Sequence, residues 1–230
     1  KKINGIPMIE IIYKKVAKNK NIEKTYIATC DKEIINFANL KKFNVINTKK
    51  THERASDRSA EALLKIEKKY NKKFDIVLMV QGDEPMINQN MISKSLKPFK
   101  NHNNINVLNL CSKIISKKDL YDLNCVKLIK DKNNNAIYFS RLPIPFSKSF
   151  KNNSFYKQVC IIPFKRDYLI KYIKMKPTSL EIKESIDMLR IIENGEKVKV
   201  VEISEITYPV DTLSDLRKVS KLIKGKNVKA

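Results

Sequence analysis

The chain has 230 residues, 42% of them hydrophobic, and a mean hydropathy of −0.40, which suits one large folded domain and argues against wholesale disorder. Its net charge is +23, but 41 of the 47 basic residues are lysines spread over the whole sequence, so the arginine clusters and aromatic platforms of nucleic-acid-binding domains are absent. Apolar runs stay well below the about 20 residues of a membrane span, and the four cysteines lack zinc or disulfide spacing. We therefore expect a cytoplasmic protein.

Apolar runs alternate with amphipathic segments, in the rhythm of an α/β fold with a mainly parallel sheet. The predicted strands are residues 25–28, 43–47, 75–80, 106–110, 126–130, 136–140, 158–163 and 198–203. Helices are predicted around 9–16, 60–67 and 215–223, and one runs from the capping box Thr178-x-x-Glu181 to about 194. We expect a single domain, 1–230, with a β-rich excursion at about 106–163 that includes a hairpin.

Polar residues follow directly after the apolar run 75–80, in the sequence Gln81-Gly82-Asp83-Glu84-Pro85. A run that is apolar on both faces predicts a central parallel strand, and ligands bind beyond the carboxyl ends of such strands. Asp83 offers hard oxygens to magnesium, and Gly82 allows close approach of a ligand. The alternative is an ordinary polar turn whose acid caps the next helix.

A second acid, Asp211, lies between the predicted strand 198–203 and the last helix. Thr212-x-x-Asp215 can cap that helix without help, which leaves Asp211 free to bind a cation. Two carboxylates on neighbouring loops suit Mg²⁺, which keeps several waters and takes further ligands from substrate phosphates. The pattern favours nucleotidyl transfer.

Five motifs in order carry a resemblance over nearly the whole chain. They are Val80-Gln-Gly-Asp-Glu-Pro85, Tyr138-Phe-Ser-Arg141 with Pro143-Ile-Pro145, the block from Ser179 to Arg190, Asn194-Gly-Glu-Lys197 and Val210-Asp-Thr212. Together they resemble the CMP-Kdo synthetases, the 3-deoxy-manno-octulosonate (Kdo) cytidylyltransferases. The resemblance implies a Rossmann-like nucleotidyltransferase fold with helices on both faces of the sheet, usually as a homodimer. It also implies a reaction of CTP with an eight-carbon sugar acid, giving the CMP-sugar and pyrophosphate for lipopolysaccharide or other surface glycans.

The resemblance assigns roles to four of these residues. Asp83 and Asp211 hold Mg²⁺, Gln81 contacts the nucleotide beside Gly82, and Arg141 faces the carboxylate of the sugar acid. Arginine binds a carboxylate with a two-pronged hydrogen-bond pair. A solvated hairpin cation is the alternative for Arg141.

Residues 51–58 correspond to the family segment HxSGTDR near the cytosine, which implies nucleotide contacts from Ser56, Asp57 and Arg58. This chain departs from the pattern, because Arg54 and Ala55 stand where serine and glycine are usual. His52 is expected to be structural, since the chemistry needs no histidine. Arg58 is alternatively a residue of the helix surface.

The expected sugar pocket departs from the family pattern as well. Gln158 replaces a histidine and Met188 replaces a glutamine, which changes the hydrogen bonds available to sugar hydroxyls. Glu184 and Asp187, three residues apart on one predicted helix, are suited to an ammonium group. The 8-amino analogue of Kdo is therefore an expected acceptor beside Kdo itself, and another nonulosonic acid such as a sialic acid is an alternative. A basic nucleic-acid-binding domain is the alternative from a different class.

The family begins with a strand and a basic loop of the kind IPARxxSxRxPGKPL, and this sequence starts inside the match that follows it. Such a loop wraps the CTP phosphates with backbone amides and basic side chains. We expect residues 1–230 to be part of a longer protein and, expressed alone, to aggregate or show no CTP turnover. Equal activity of this piece and of the full-length gene product would contradict that expectation.

Overall fold

A computed structural model of the chain describes residues 1–101, 104–150 and 155–227. The strands are β1 (Lys2–Ile3), β2 (Ile6–Pro7), β3 (Ile27–Thr29), β4 (Val45–Asn47), β5 (Ile76–Val80), β6 (Leu108–Lys113), β7 (Lys127–Lys130), β8 (Ala136–Ser140), β9 (Tyr156–Val159), β10 (Ile161–Lys165) and β11 (Lys199–Ile203). The helices are α1 (Met8–Ala17), α2 (Lys32–Leu40), α3 (Ala55–Tyr70), α4 (Gln89–Asn101), α5 (Lys117–Tyr121), α6 (Arg166–Tyr172), α7 (Ser179–Glu184), α8 (Met188–Glu193) and α9 (Leu213–Asn227). Within these ranges no helix is long and apolar enough to cross a bilayer.

The largest sheet has five strands in the order β11-β6-β9-β7-β8. β6 and β11 are parallel, and the other neighbours in this sheet are antiparallel. β3 and β4 form a second parallel pair. The α/β class is thus confirmed, but the mainly parallel sheet is not, because five of the seven strand pairings in the described residues are antiparallel. The hairpin of β7 and β8 is confirmed, and its turn is held by the Asp131 side chain, which accepts hydrogen bonds from Asn135. The predicted excursion 106–163 supplies four of the five strands, although residues 151–154 lie outside the described ranges.

The prediction that residues 75–80 pair with parallel strands is wrong, because the strand that pairs with β5 in the described residues is antiparallel. β5 pairs antiparallel with β10, from Ile76 opposite Lys165 to Val80 opposite Ile161. Only Met79 of the strand is fully buried. The carboxyl end of β5 nevertheless lies beside the other candidate segments, around one cavity.

The single strand predicted at 158–163 is two strands, because Cys160 interrupts the ladder. Its carbonyl accepts a hydrogen bond from Gln81 N at 3.2 Å, and its N–H donates to Glu84 Oε1 at 2.9 Å. Both main-chain groups of Cys160 are therefore used by the turn after β5. The chain changes sheet at this residue, from β9 in the large sheet to β10 beside β5.

The helix predicted from 178 to about 194 is likewise interrupted. The capping box of Thr178 and Glu181 is confirmed, but α7 ends at Ser185, which has a left-handed φ of 55°. Arg141 donates hydrogen bonds to the carbonyls of Glu184 and Ser185, which would accept from main-chain N–H groups if the helix continued. Asp187 is the N-cap residue directly before α8. Glu184 therefore ends α7 and Asp187 precedes α8, so the two acids do not share one helix.

A buried ion pair joins the two short helices. The Arg190 guanidinium donates to both carboxylate oxygens of Glu181, at 2.7 and 2.6 Å, and lies 4.7 Å from the centre of the Tyr172 ring. The hydrogen bonds to Glu181 raise the pKa of Arg190. Both ends of the Ser179–Arg190 block are thus structural, and they fix the segment that carries Asp187.

Two apolar clusters form the core on either side of the strands. One contains Leu128, Phe139 and Tyr172, and the other contains Met91 and Val159. Burial of each such side chain contributes about 1.5–3 kcal/mol to folding. The clusters make the strand ends a rigid base for the polar residues that follow them.

Candidate active site

A cavity of ≈ 260 Å³ lies where the end of β5, the break between β9 and β10, the break between α7 and α8 and the connector after β11 meet. Six residues predicted from the sequence line it: Gln81, Asp83, Arg141, Gln158, Asp187 and Asp211. They are distant in sequence, so the fold brings together what the motifs only implied. The cavity is the candidate active site.

Asp83 and Asp211 face the cavity from two connected loops. Val210 N donates to Asp83 O at 2.9 Å, which joins the loops beside the two side chains. The predicted cap of α9 is confirmed, because Thr212 Oγ1 accepts from Asp215 N and Asp215 Oδ2 accepts from Thr212 N. Asp211 takes no part in that cap and has no hydrogen-bond donor among the described residues.

The surroundings of Asp83, and less strongly those of Asp211, favour a cation beside these carboxylates. Burial, with a further contribution from the Asp211 charge, raises the pKa of Asp83. Burial and the charges of Asp215 and Asp122 raise the pKa of Asp211. Asp83 Oδ1 is buried and has no hydrogen-bond partner in the described part of the chain. The ionised form of Asp83 is therefore costly unless a cation meets this oxygen, whereas Asp211 is exposed and pays a smaller cost.

The donor set fits magnesium better than a metal held by protein alone. Within the described ranges no group of three or more His, Cys, Asp or Glu side chains is placed to hold a metal ion. Mg²⁺ commonly takes one or two carboxylates and completes its shell with waters and substrate phosphates. Asp83 and Asp211 match that requirement.

Glu84 is a buried acid in the cavity wall. Its side chain is 2% exposed, and Oε2 has no hydrogen-bond partner in the described residues. Burial, more than the neighbouring Asp83 charge, raises the pKa of Glu84 to about 7. Glu84 also stabilises the fold, because the hydrogen bond from Cys160 N to Glu84 Oε1 ties the turn that holds Asp83 to the break between β9 and β10.

Arg141 is held by main-chain carbonyls. Its Nε donates to Glu184 O at 2.7 Å, its Nη1 to Leu123 O at 2.9 Å and its Nη2 to Ser185 O at 3.3 Å. A guanidinium has five N–H donors, so two are left for a ligand. Because no carboxylate of the described residues lies within ion-pair distance, the charge of Arg141 is available to an anion in the cavity.

The two acids predicted to meet an ammonium group already have protein partners. Glu184 accepts from Ser140 Oγ and from Arg141 N, at 2.9 and 2.8 Å, and does not line the cavity. Asp187 accepts from Ser56 Oγ at 2.8 Å and lies 3.7 Å from Arg54 Nε. Burial nevertheless raises the pKa of Asp187. Their contact with a substrate ammonium stays a prediction, and Asp187 is the one placed to make it.

Residues 51–54 form a loop and residues 55–58 the first turn of α3, and none of them lines the cavity. The Arg58 guanidinium donates to Thr48 Oγ1 at 2.6 Å and to the carbonyl of His52 at 3.2 Å. His52 contacts Glu61, as a structural histidine would. Ser56 is fully buried and Asp57 half-buried. The nucleotide contacts assigned to Ser56, Asp57 and Arg58 stay predictions.

Three further candidates differ in their exposure to the cavity. Gln158 lines it and donates from Nε2 to Asn109 Oδ1 at 2.6 Å, which leaves its Oε1 for a ligand. Met188 is fully buried in the apolar core and is not part of the wall. A methyl group on Gly82 would meet no atom of residues beyond its chain neighbours within 4 Å. Packing of the protein therefore does not require glycine at this position, and its contact with the nucleotide stays a prediction.

Comparison with known proteins agrees with this architecture. A cytidylyltransferase family model matches residues 1–198. The 3-deoxy-manno-octulosonate cytidylyltransferase of Fusobacterium nucleatum is 38% identical over 100% of this chain and 91% of its own length. That of Francisella philomiragia is 37% identical over 96% of this chain and 89% of its own length. A solved CMP:2-keto-3-deoxy-manno-octonic acid synthetase complexed with CTP superposes with a TM-score of 0.86, at 28% identity over 98% of this chain and 91% of the other.

The fold and the family match define a nucleotidyltransferase of the cytidylyltransferase class. Within that class, the chain belongs to the 3-deoxy-manno-octulosonate cytidylyltransferase family. The fold predicted from the motifs is confirmed by the 0.86 superposition.

Proposed function

We propose that this protein transfers CMP from CTP to an eight-carbon 3-deoxy sugar acid, Kdo or its 8-amino analogue, with release of pyrophosphate. The observation that carries the proposal is one cavity lined by Asp83, Asp211 and Arg141, none of which has an ion-pair partner among the described residues. Carboxylates for a metal–triphosphate and a guanidinium for an acid are the two recognition elements that this pair of anionic substrates needs.

Different side chains of the cavity would bind the two substrates. Asp83 and Asp211 would hold Mg²⁺, which screens the triphosphate charge and stabilises the charge of phosphoryl transfer. Gln81, which lines the cavity just after β5, would contact the nucleotide, and Arg141 would orient the sugar acid through its carboxylate. The anomeric hydroxyl, losing its proton, forms a bond to the α-phosphorus as the bond to pyrophosphate breaks. The chain has only to align these groups in line, and no enzyme nucleophile is required.

The acceptor is the least constrained part of the proposal. Gln158 offers Oε1 to the cavity, and Asp187 adds a carboxylate in the same wall. Both accept hydrogen bonds, so they favour a sugar acid that presents hydroxyl or ammonium donors to this side. An 8-amino sugar acid satisfies that requirement as well as Kdo does.

The direct test is pyrophosphate release by the full-length gene product with a panel of sugar acids. We expect turnover only when CTP, Mg²⁺ and Kdo or 8-amino-Kdo are present together, and a sialic acid to serve as the poor substrate of the panel. Other nucleoside triphosphates are the matched control for CTP. Absence of turnover with every sugar acid would contradict the proposed function.

We also propose that the protein acts as a homodimer in the cytoplasm, in the synthesis of lipopolysaccharide or a related surface glycan. Support for the dimer comes from three large apolar side chains on β8 and the segment after it: Ile137, Leu142 and Phe146 are 51%, 62% and 89% exposed. Exposed apolar side chains that cluster on one element mark interaction surfaces.

Replacing Phe146 with serine is expected to shift the full-length protein from dimer toward monomer, because it removes the most exposed of these apolar side chains from the contact. Sedimentation equilibrium measures the change. Leu40→Ser is the control, since Leu40 is 80% exposed at the end of α2, away from the hairpin. A wild-type protein that sediments as a monomer would exclude the homodimer.

A further inference from the structure

Two lysines are buried opposite each other in the five-stranded sheet. Lys127 on β7 is the register partner of Lys157 on β9, and the two residues are 0% and 4% exposed. Burial lowers the pKa of both ammonium groups. No carboxylate of the described residues lies within ion-pair distance of either. Like charges directly opposite on neighbouring strands are unfavourable, and so is their loss of hydration.

Lys127 holds the main chain of Arg141. Its Nζ donates to the carbonyl of Arg141 and, at 2.8 Å, to the carbonyl of Asp122. The N–H of Arg141 is held from the other side by Glu184 Oε2 at 2.8 Å. Both main-chain polar groups of Arg141 are therefore fixed, and its guanidinium starts from a defined position at the cavity wall.

Lys157 holds the connector that carries Asp211. Its Nζ donates to Thr207 O at 2.6 Å and lies 4.4 Å from the centre of the Tyr208 ring. Thr207 is 2% exposed, so this contact is sealed from water. Three residues after Thr207, Val210 N bonds to Asp83 O, and Asp211 follows immediately.

We propose that Lys127 and Lys157 are positioning residues with separate tasks, Lys127 for the group that binds the sugar acid and Lys157 for a carboxylate of the metal site. The inference rests on the proposed function, because it takes Arg141 and Asp211 as the groups positioned. Each lysine reaches from a rigid strand to the main chain of a loop. A buried ammonium donates strongly to carbonyls, whereas an apolar side chain at the same place would leave those carbonyls unpaired.

The test uses Lys127→Met and Lys157→Met in the full-length protein. Misplacement of a substrate group by about 1 Å costs up to about 100-fold. We expect Lys127→Met to raise KM for the sugar acid at least about tenfold and to leave binding of Mn²⁺ alone, measured by EPR, within about twofold. Lys157→Met is expected to weaken Mn²⁺ binding about tenfold and to change KM for the sugar acid far less. Lys132→Met, exposed in the turn of the β7–β8 hairpin, is the matched control.

A general structural role predicts a different result, namely equal effects of both substitutions on both measurements, or a fall in melting temperature alone. Either result would overturn the proposal. If a methionine variant does not fold, Lys127→Gln and Lys157→Gln retain one donor and decide the question by the same two measurements. Failure of this inference can be told apart from failure of the proposed function, because Mn²⁺ binding to Lys157→Met is measured without CTP or a sugar acid.

Discussion

Replacing Asp83 with asparagine is expected to lower kcat/KM for CTP at least about 1,000-fold, because the amide is a poor ligand for a hard cation and the triphosphate charge then lacks its screen. Pyrophosphate release at saturating sugar acid measures the loss. The fold should not suffer. Asp83 has a raised pKa, so its ionised form destabilises the folded state as the pH rises through that pKa. The melting temperature of Asp83→Asn at pH 8 is therefore expected to equal or exceed that of the wild type.

Asp75→Asn is the matched control for this experiment. Asp75 directly precedes β5 at the opposite end of the strand from Asp83, and it is exposed. Its replacement should leave kcat/KM within about twofold, as surface substitutions usually do. Retention of more than a tenth of wild-type activity by Asp83→Asn would remove Asp83 from the metal site. The same variant separates the enzyme from a basic polyanion-binding domain, whose salt-sensitive binding to DNA or RNA would be unchanged.

Replacing Arg141 with lysine is expected to raise KM for the sugar acid about 30- to 100-fold and KM for CTP no more than about threefold, as loss of a charged two-pronged bond implies. The guanidinium is held by the carbonyls of Leu123, Glu184 and Ser185. An ammonium on a longer flexible stem satisfies fewer of these carbonyls and offers a carboxylate one contact in place of two. Steady-state kinetics with each substrate varied in turn measures the two KM values.

Arg217→Lys is the control for this substitution, because Arg217 is exposed on α9. Equal increases in both KM values for Arg141→Lys would mean a general disturbance of the cavity. An unchanged KM for the sugar acid would mean that Arg141 is a solvated hairpin cation without contact to the substrate.

Local patterns predicted most strands of this fold, but they missed the helices α2, α4, α5 and α6, the two-residue strands β1 and β2, and two interruptions. Strand β8 and the capping box at Thr178 are set by side chains close in sequence, and both were predicted. The breaks at Cys160 and Ser185 are set by distant partners. Cys160 bonds to the turn after β5, and the carbonyl of Ser185 bonds to Arg141. No periodicity of residues 158–163 or 178–194 contains that information.

The site shows the same division between local and distant causes. Position after a strand singled out Asp83 and Asp211, and both line the cavity. Met188 lies in the core instead, because whether a helix residue faces a pocket depends on the partner that its helix packs against. Lys127 and Lys157 were overlooked because 41 lysines hide two that are buried. Each lies in or beside an apolar strand segment, but their position opposite each other is set by strand pairing and is not visible in the sequence.

The interruption at Cys160 has a consequence for how such enzymes diverge. β9 carries Gln158 and belongs to the five-stranded sheet, whereas β10 pairs with β5 and touches the larger sheet through an isolated bridge between Val107 and Phe164. The bond from Lys165 N to Asn106 O and the two main-chain bonds of Cys160 also join β10 and the turn after β5 to the segments of the larger sheet. The junction at Cys160 therefore sets the distance between the wall that carries Gln158 and the loop that carries Asp83. We expect a substitution far from the cavity that shifts this junction to change acceptor preference even when every wall residue keeps its identity.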